Sequence, residues 1–179
     1  QTEVPQIAVC MRASEWQDPQ NHASTGRATL LTKIGIMGAD GQFLEPDQMG
    51  EIVLAGDLVM PGYYKMPDKT AETIIDGWLH TGDIGYIDQR GYVFIKDRIR
   101  DVVVTGGFNV YPSDVEAVLG RHPAVRECVV FGVDDIKWGE AVHAALELHE
   151  GAMVSADDII GFVKQHLDSV KAPKTLHIV

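Results

Sequence analysis

Four short stretches of the sequence carry side chains able to do chemistry. Gln1-Thr2-Glu3 opens the chain. A Thr hydroxyl can donate to a phosphate oxygen and a Glu carboxylate can ligate Mg²⁺, but the pair alone says nothing. In Gly77-Trp78-Leu79-His80-Thr81-Gly82-Asp83, a carboxylate follows a glycine turn. There it could accept two hydrogen bonds from a vicinal diol such as a ribose, although an isolated Gly-Asp is more often an ordinary turn. Lys96-Asp97-Arg98-Ile99-Arg100-Asp101 is a dense charged run between two apolar strands. It reads as a solvated hairpin turn, or as a hinge or ligand rim. Arg98 offers a fixed fork of donors to ribose or phosphate oxygens; its competing fate is a surface ion pair with Asp97 or Asp101. In Val104-Thr105-Gly106-Gly107-Phe108-Asn109-Val110-Tyr111-Pro112, paired glycines after a strand let the backbone pass close to another object. That object is a ligand chain, or the glycines mark a β-bulge or a packing contact.

Composition removes several functions. The 179 residues carry a formal net charge of −11. No Lys/Arg run exists to neutralise phosphates, which argues against a nucleic-acid partner. The acidity reads first as solubility. Two cysteines, Cys10 and Cys128, make no CxxC and no disulfide framework, which points to a reducing compartment and a cytoplasmic location. The histidines show no HExxH or HxH spacing for zinc. No apolar run is long enough to span a membrane, and no signal peptide is present. No GxxxxGK[ST] loop and no GxGxxG after a strand occurs. The absence of a starting Met and the apolar Leu176, Ile178 and Val179 at the other end make both ends look like cuts through a larger protein.

These stretches need elements to position them. Residues 1 to about 98 hold short apolar runs, Gln6 to Met11, Leu30 to Met37, Glu51 to Leu54 and Tyr92 to Ile95. Between them stand glycine turns, at Gly38 to Gly41, Gly50, Gly62, Gly77, Gly82 and Gly91. That spacing suggests a small twisted sheet or barrel. One short helix interrupts it, with Asp68 as N-cap, Ala71, Ile74 and Ile75 as its buried face and Gly77 as its end. From about residue 101 the pattern alternates strand, helix, strand, strand, helix, strand. Asp101 to Thr105 is β-branched. Ser113 and Glu116 have capping-box spacing before a helix burying Val115, Val118 and Leu119. Val125 to Val133 and Ala141 to Leu148 read as strands. Ser155 and Asp158 open a second helix with Ile159, Ile160, Val163 and Leu167 in period and Pro173 beyond its end. Each amphipathic helix needs a sheet to cover, so the expected class is α+β.

The order and wording of the stretches together resemble the adenylate-forming superfamily of acyl-CoA synthetases, firefly-type luciferases and peptide-synthetase adenylation domains. The resemblance rests on Thr2-Glu3, Gly50-Glu51-Ile52-Val53 with Gly62-Tyr63-Tyr64, Trp78-Leu79-His80-Thr81-Gly82-Asp83, Asp97-Arg98, and Gly106-Gly107-Phe108-Asn109-Val110-Tyr111-Pro112. It implies that residues 1–98 end a large N-terminal domain in a β-rich, barrel-like subdomain. Residues 99–179 would begin a small mobile C-terminal domain, cut before the catalytic lysine segment.

By that resemblance, ATP and a carboxylic acid give an acyl-adenylate, and coenzyme A then displaces AMP to form a thioester. Thr2 corresponds to an α-phosphate contact and Glu3 to the carboxylate associated with Mg²⁺. Asp83 and Arg98 correspond to the acid and base that hold the ribose. Arg100 stands where the family has its hinge, a position usually Asp or Lys. Gly106, Gly107 and Phe108 resemble the strand lining the pantetheine tunnel, and Trp138 stands where some ligases contact CoA. Lys171 and Lys174 could meet CoA phosphates, surface solvation being the alternative. The Gly/Ser/Thr-rich phosphate loop would lie upstream and the adenylation lysine downstream, so residues 1–179 alone are expected to make no acyl-adenylate. Gly-Phe-Asn-Val-Tyr-Pro followed by Ser113-Asp114-Val115-Glu116 resembles fatty- and aryl-acid CoA ligases. Peptide-synthetase domains usually carry an Arg-Ile-Glu-type sequence there. A carrier-protein-loading domain and a non-catalytic nucleotide-binding or interaction module are the rival readings. The identity of the acid stays open, and so does the oligomeric state, a homo-oligomer being allowed.

Overall fold

A computed structural model of the chain describes residues 2–4 and 8–179. It divides into two compact units, Gln1–Ile99 and Arg100–Val179.

The first unit is built on β1 (Val9–Cys10), β2 (Gly26–Ala28), β3 (Lys33–Met37), β4 (Gly50–Ala55), β5 (Ile74–Ile75), β6 (Trp78–Ile87) and β7 (Tyr92–Arg98), with helix α1 (Pro67–Thr73) before β5. The strands form one sheet in the order β1-β2-β7-β6-β4-β3, with β5 added to β6. Every pair is antiparallel. Outermost strands β1 and β3 are not paired with each other among the described residues. The sheet is therefore open, and the expected barrel does not close. Of the run expected from Gln6 to Met11, residues 6 and 7 lie outside the described residues, and β1 covers Val9–Cys10. Ile52, Val53 and Leu54 are buried in succession along β4, as happens in a strand covered on both faces. Ile36, Ile52, Leu54, Leu79 and Val93 form the core with Val4.

The helix α1 differs from expectation at both ends. Its N-cap is Met66, with no side-chain hydrogen bond, and Pro67 takes the first helical position. Pro pre-sets φ there, and Asp68 falls in the first turn, where its charge complements the helix dipole. Ile74 and Ile75 leave the helix for β5, pairing with Leu79 and Trp78. Between them Asp76 and Gly77 both have positive φ, 50° and 80°, as a two-residue hairpin turn requires.

A 3₁₀ turn at Ile99–Asp101 spans the point where the chain passes from the first unit to the second. There follow β8 (Val103–Thr105), β9 (Phe108–Val110), α2 (Pro112–Leu119), β10 (Val125–Asp135), β11 (Gly139–Leu148), α3 (Ala156–His166) and β12 (Thr175–Ile178). The sheet order is β10-β11-β8-β9, and β12 runs parallel to β11. The architecture is α+β, with one strand, β9, beyond the expected alternation. Val115, Val118 and Leu119 of α2 and Ile159 and Val163 of α3 join Val130, Val142 and Leu146 in one core. The box at Ser155 and Asp158 is present: Asp158 N–H donates to Ser155 Oγ at 3.1 Å, and the Asp158 carboxylate accepts from Ser155 N–H at 3.4 Å. The box expected at Ser113 and Glu116 is not. Tyr111 is the N-cap and Pro112 the first helical residue. Glu116 instead accepts from Val130 N–H at 2.9 Å, bonding α2 to β10. Cys10 and Cys128 are both free thiols.

Candidate functional site

Asp83 stands on an irregularity in β6, not on a turn. The β4–β6 register passes from Glu51↔Ile84 to Val53↔His80, so Thr81, Gly82 and Asp83 lie opposite Ile52 alone. Gly82, at φ +71°, takes a conformation that L side chains rarely adopt. The bulge carries Asp83 to a position directly across from Arg98 on β7. Arg98 Nε and Asp83 Oδ1 are 3.4 Å apart, longer than a tight hydrogen bond. Arg98 is 56% exposed and Asp83 17%, so the pair adds little to stability. Arg98 N–H also donates to the Asp97 carboxylate at 2.9 Å.

Thr2, Glu3 and Arg98 line one cavity of about 490 Å³, with His80, Thr81 and Tyr63. Asp83 lines a second cavity of about 300 Å³, and Thr81 lines both. Glu3 accepts a hydrogen bond from the Tyr63 hydroxyl at 2.8 Å and another from the Thr2 hydroxyl at 3.2 Å. The Tyr63 bond is the main reason the Glu3 carboxyl is held below its ordinary range, its own backbone amide coming next. The same bond pushes the Tyr63 phenol up. Glu3 is therefore a carboxylate at neutral pH. Among the described residues no group of three or more His, Cys, Asp or Glu side chains could hold a metal ion. A Mg²⁺ that arrives with nucleotide phosphates needs only one or two carboxylates from the protein, and Glu3 fits that task.

In the second unit Gly106 and Gly107 form the two-residue turn between β8 and β9, with φ of 57° and 83°. They are not a bulge, and the packing contact allowed for them is present at Gly106. Gly106 N–H donates to the Trp138 carbonyl at 2.8 Å, and a Cβ on Gly106 would stand 3.0 Å from the Trp138 ring. Lys174 Nζ lies 5.5 Å and Lys137 Nζ 4.7 Å from the centre of that ring. Gly106, Trp138 and Lys174, far apart in sequence, thus meet at one exposed aromatic. Phe108 is 62% exposed and pairs across the hairpin with Thr105. Arg100 sits in the 3₁₀ turn, with Nε 3.5 Å from Asp101 Oδ1.

Residues 114–179 match the AMP-binding enzyme C-terminal domain. The chain is 39% identical, over its full length, to the medium/long-chain-fatty-acid–CoA ligase FadD8 of Mycobacterium tuberculosis, covering 32% of that protein. It is 47% identical over 96% of its length to the fatty acid–[acyl-carrier-protein] ligase ScoC of Streptomyces coeruleorubidus, covering 33% of that protein. The o-succinylbenzoate CoA synthetase MenE of Bacillus subtilis, solved with its acyl-adenylate intermediate, matches 99% of the chain at 36% identity and a TM-score of 0.89; 36% of MenE is covered. MenE solved with ATP and a magnesium ion matches with a TM-score of 0.87. The chain belongs to the adenylate-forming superfamily. It spans about a third of the length of the relatives it matches.

For a member of the adenylate-forming superfamily, three residues of this site escaped sequence reasoning in their local roles. Glu51 accepts from His80 Nδ1 at 2.8 Å and from Gly82 N–H at 3.0 Å. Tyr63 bonds Glu3 across 60 positions. Glu51 and Tyr63 both lie in stretches that carry the family resemblance, but only the β4–β6 register makes Glu51 a neighbour of the bulge, and only the fold brings Tyr63 to Glu3. Lys137, adjacent to Trp138, had a local signal: a Lys-Trp pair before a glycine.

Proposed function

We propose that this chain is part of an AMP-forming acid–thiol ligase, an acyl-CoA synthetase that activates a carboxylic acid with ATP and passes it to CoA. In this reading the first unit ends the large N-terminal domain and the second is the mobile C-terminal domain. The adjacency of Asp83 and Arg98 on paired strands carries the reading. Asp83 accepts hydrogen bonds from the ribose hydroxyls and Arg98 donates to the same sugar. Thr2 donates to the α-phosphate, and Glu3 would hold Mg²⁺ through its ionised carboxylate. A metal there supplies charge neutralisation where two anions, a carboxylate and a phosphate, must meet. The ribose grip supplies positioning. Gly106, Gly107, Phe108, Trp138 and Lys174 take the CoA side, where an exposed indole flanked by ammonium groups suits a stacked base and its phosphates. We assign the protein to the cytoplasm, a reducing compartment in which free thiols such as Cys10 and Cys128 persist.

The deciding experiment is calorimetry of the full-length protein with an acyl-AMP analogue. Asp83→Ala should weaken binding by about 1.5–3 kcal/mol, the worth of hydrogen bonds to a charged group. Binding unchanged by the substitution would favour a non-catalytic module. Arg100 is assigned to the hinge. Arg100→Pro, which fixes φ, should impair thioester formation more than adenylation when the half-reactions are measured separately; equal loss would remove the hinge role.

The likeness to an acyl-carrier-protein ligase favours a second reading, in which the acceptor is a carrier protein. Assaying the full-length protein with free CoA and with a phosphopantetheinylated carrier separates the two.

A further inference from the structure

On its β4 side the segment that presents Asp83 is held by side chains where a regular strand would be held by its ladder, while on the other side Asp83 stays in register with Arg98 of β7. With Thr81, Gly82 and Asp83 set against Ile52 alone, the bulge breaks the β4–β6 pairing. Two of its amides are met by side chains instead. Gly82 N–H donates to Glu51 Oε1 at 3.0 Å, and Asp83 N–H donates to Thr81 Oγ1 at 3.1 Å. The Thr81 hydroxyl in turn donates to the Ile52 carbonyl at 2.6 Å. The second oxygen of Glu51 is engaged as well, by His80 Nδ1 at 2.8 Å. A carboxylate accepts only, so the proton of that bond is on Nδ1. Glu51 and His80 side chains are 19% and 20% exposed, so solvent competes weakly for them.

We propose that Glu51 is a positioning residue for nucleotide recognition: oriented by His80, it ties down the Gly82 amide and so fixes where the Asp83 carboxylate stands against Arg98. The inference rests on the reading of Asp83 as the ribose acid. The physical reason is local. Gly82 has φ +71° and nothing within 4 Å of where a Cβ would be, so no steric wall holds that peptide in place. Without the Glu51 acceptor the bulge can relax, and Asp83, one residue on, moves with it. A displacement of about 1 Å in a positioning group is enough to lose most of its contribution.

The test is calorimetry of the full-length protein with AMP and with 2′,3′-dideoxy-AMP, which lacks the hydroxyls that Asp83 would hold. Glu51→Ala should weaken AMP on the order of tenfold and leave dideoxy-AMP unchanged. In an Asp83→Ala background the same change should cost nothing further, because its effect runs through Asp83. Glu51→Gln, whose amide oxygen can still accept from Gly82 N–H, should keep most of the AMP affinity. His80→Ala, which removes the orienting group but no bond to the bulge, should give a smaller loss that also vanishes without Asp83. These last two variants carry the test should Glu51→Ala fail to fold. Equal weakening of AMP and dideoxy-AMP, or a lowered thermal midpoint with AMP affinity intact, would make Glu51 a sheet stabiliser only and overturn the proposal. Asp83→Ala weakening AMP while every Glu51 and His80 variant binds normally would sink this inference alone. Asp83→Ala leaving AMP affinity unchanged would sink the ribose reading and the inference with it.

Discussion

The two compact units put their specificity in different kinds of bond. Arg100–Val179 is organised by apolar side chains: the core formed by α2, α3 and the sheet takes in thirteen buried residues, Leu119, Leu146, Ile159 and Val163 among them with no exposure at all. Among the described residues Gln1–Ile99 has a core cluster of six buried residues. Its distinctive contacts are polar and cluster where regular pairing fails, at Glu51, His80, Thr81 and Gly82. That contrast predicts where a substitution should register. Altering the second unit's core should change stability first. Altering the first unit's bulge should change ligand affinity first, because few apolar contacts depend on it.

The largest expected effect belongs to the second unit. Leu146→Ala removes a fully buried side chain from β11 and should cost about 2–5 kcal/mol. Chemical denaturation of the chain measures it; a loss under 1 kcal/mol would mean the core collapses around the void and the contrast between units is weaker than drawn. The hairpin turn gives a smaller effect with an internal control. Gly107→Ala meets no atom within 4 Å and should cost only the strain of a positive φ, about 1–2 kcal/mol. Gly106→Ala carries the same strain and also presses the Trp138 ring at 3.0 Å, so it should cost more. It should also change the near-ultraviolet signal of Trp138, and equal costs would show that the indole moves aside freely.

Much of this was legible in the sequence, and the failures share a cause. Helix α3 was readable because Ser155 and Asp158 box its start and Ile159 and Val163 fall one turn apart on the core face. The start of α2 was misread because Pro112 supplies the first helical φ and leaves the cap no side-chain task, freeing Glu116 to reach Val130. Strand β6 was missed altogether. It contains Gly82, which local rules read as a turn, and Asp83, which disfavours strands; only its neighbours' register makes a bulge of them. The Asp76-Gly77 and Gly106-Gly107 turns carried a hairpin signal that the short flanking strands obscured. Asp83 and Arg98 were singled out separately by their surroundings in sequence. Their meeting follows from the antiparallel return of β7 through the Asp88–Gly91 turn. Glu51 and Tyr63 could not be given their local roles, because their partners lie 29 to 60 positions away and the tertiary fold alone joins them.

The smallest effect tests the polar side of the contrast in the first unit. Tyr63 donates to Glu3 at 2.8 Å, and this bond is the leading reason the Glu3 carboxyl titrates below its ordinary range. A carboxyl with a depressed folded pKa keeps its interaction above the unfolded value and loses it as pH falls through the folded one. Removing the phenol oxygen takes away the main stabiliser of the charged form, while partial burial continues to favour the neutral one. Tyr63→Phe should therefore raise the Glu3 pKa, and the acid limb of any Glu3-dependent nucleotide binding should move to higher pH, with neutral-pH binding little changed. Titration of the Glu3 carboxylate by NMR reads the shift directly, and the thermal midpoint at pH 7 should stay close to wild type. A midpoint that drops while the titration stays put would mean that Tyr63 serves the packing of this unit, and the polar network would then be part of its stability after all.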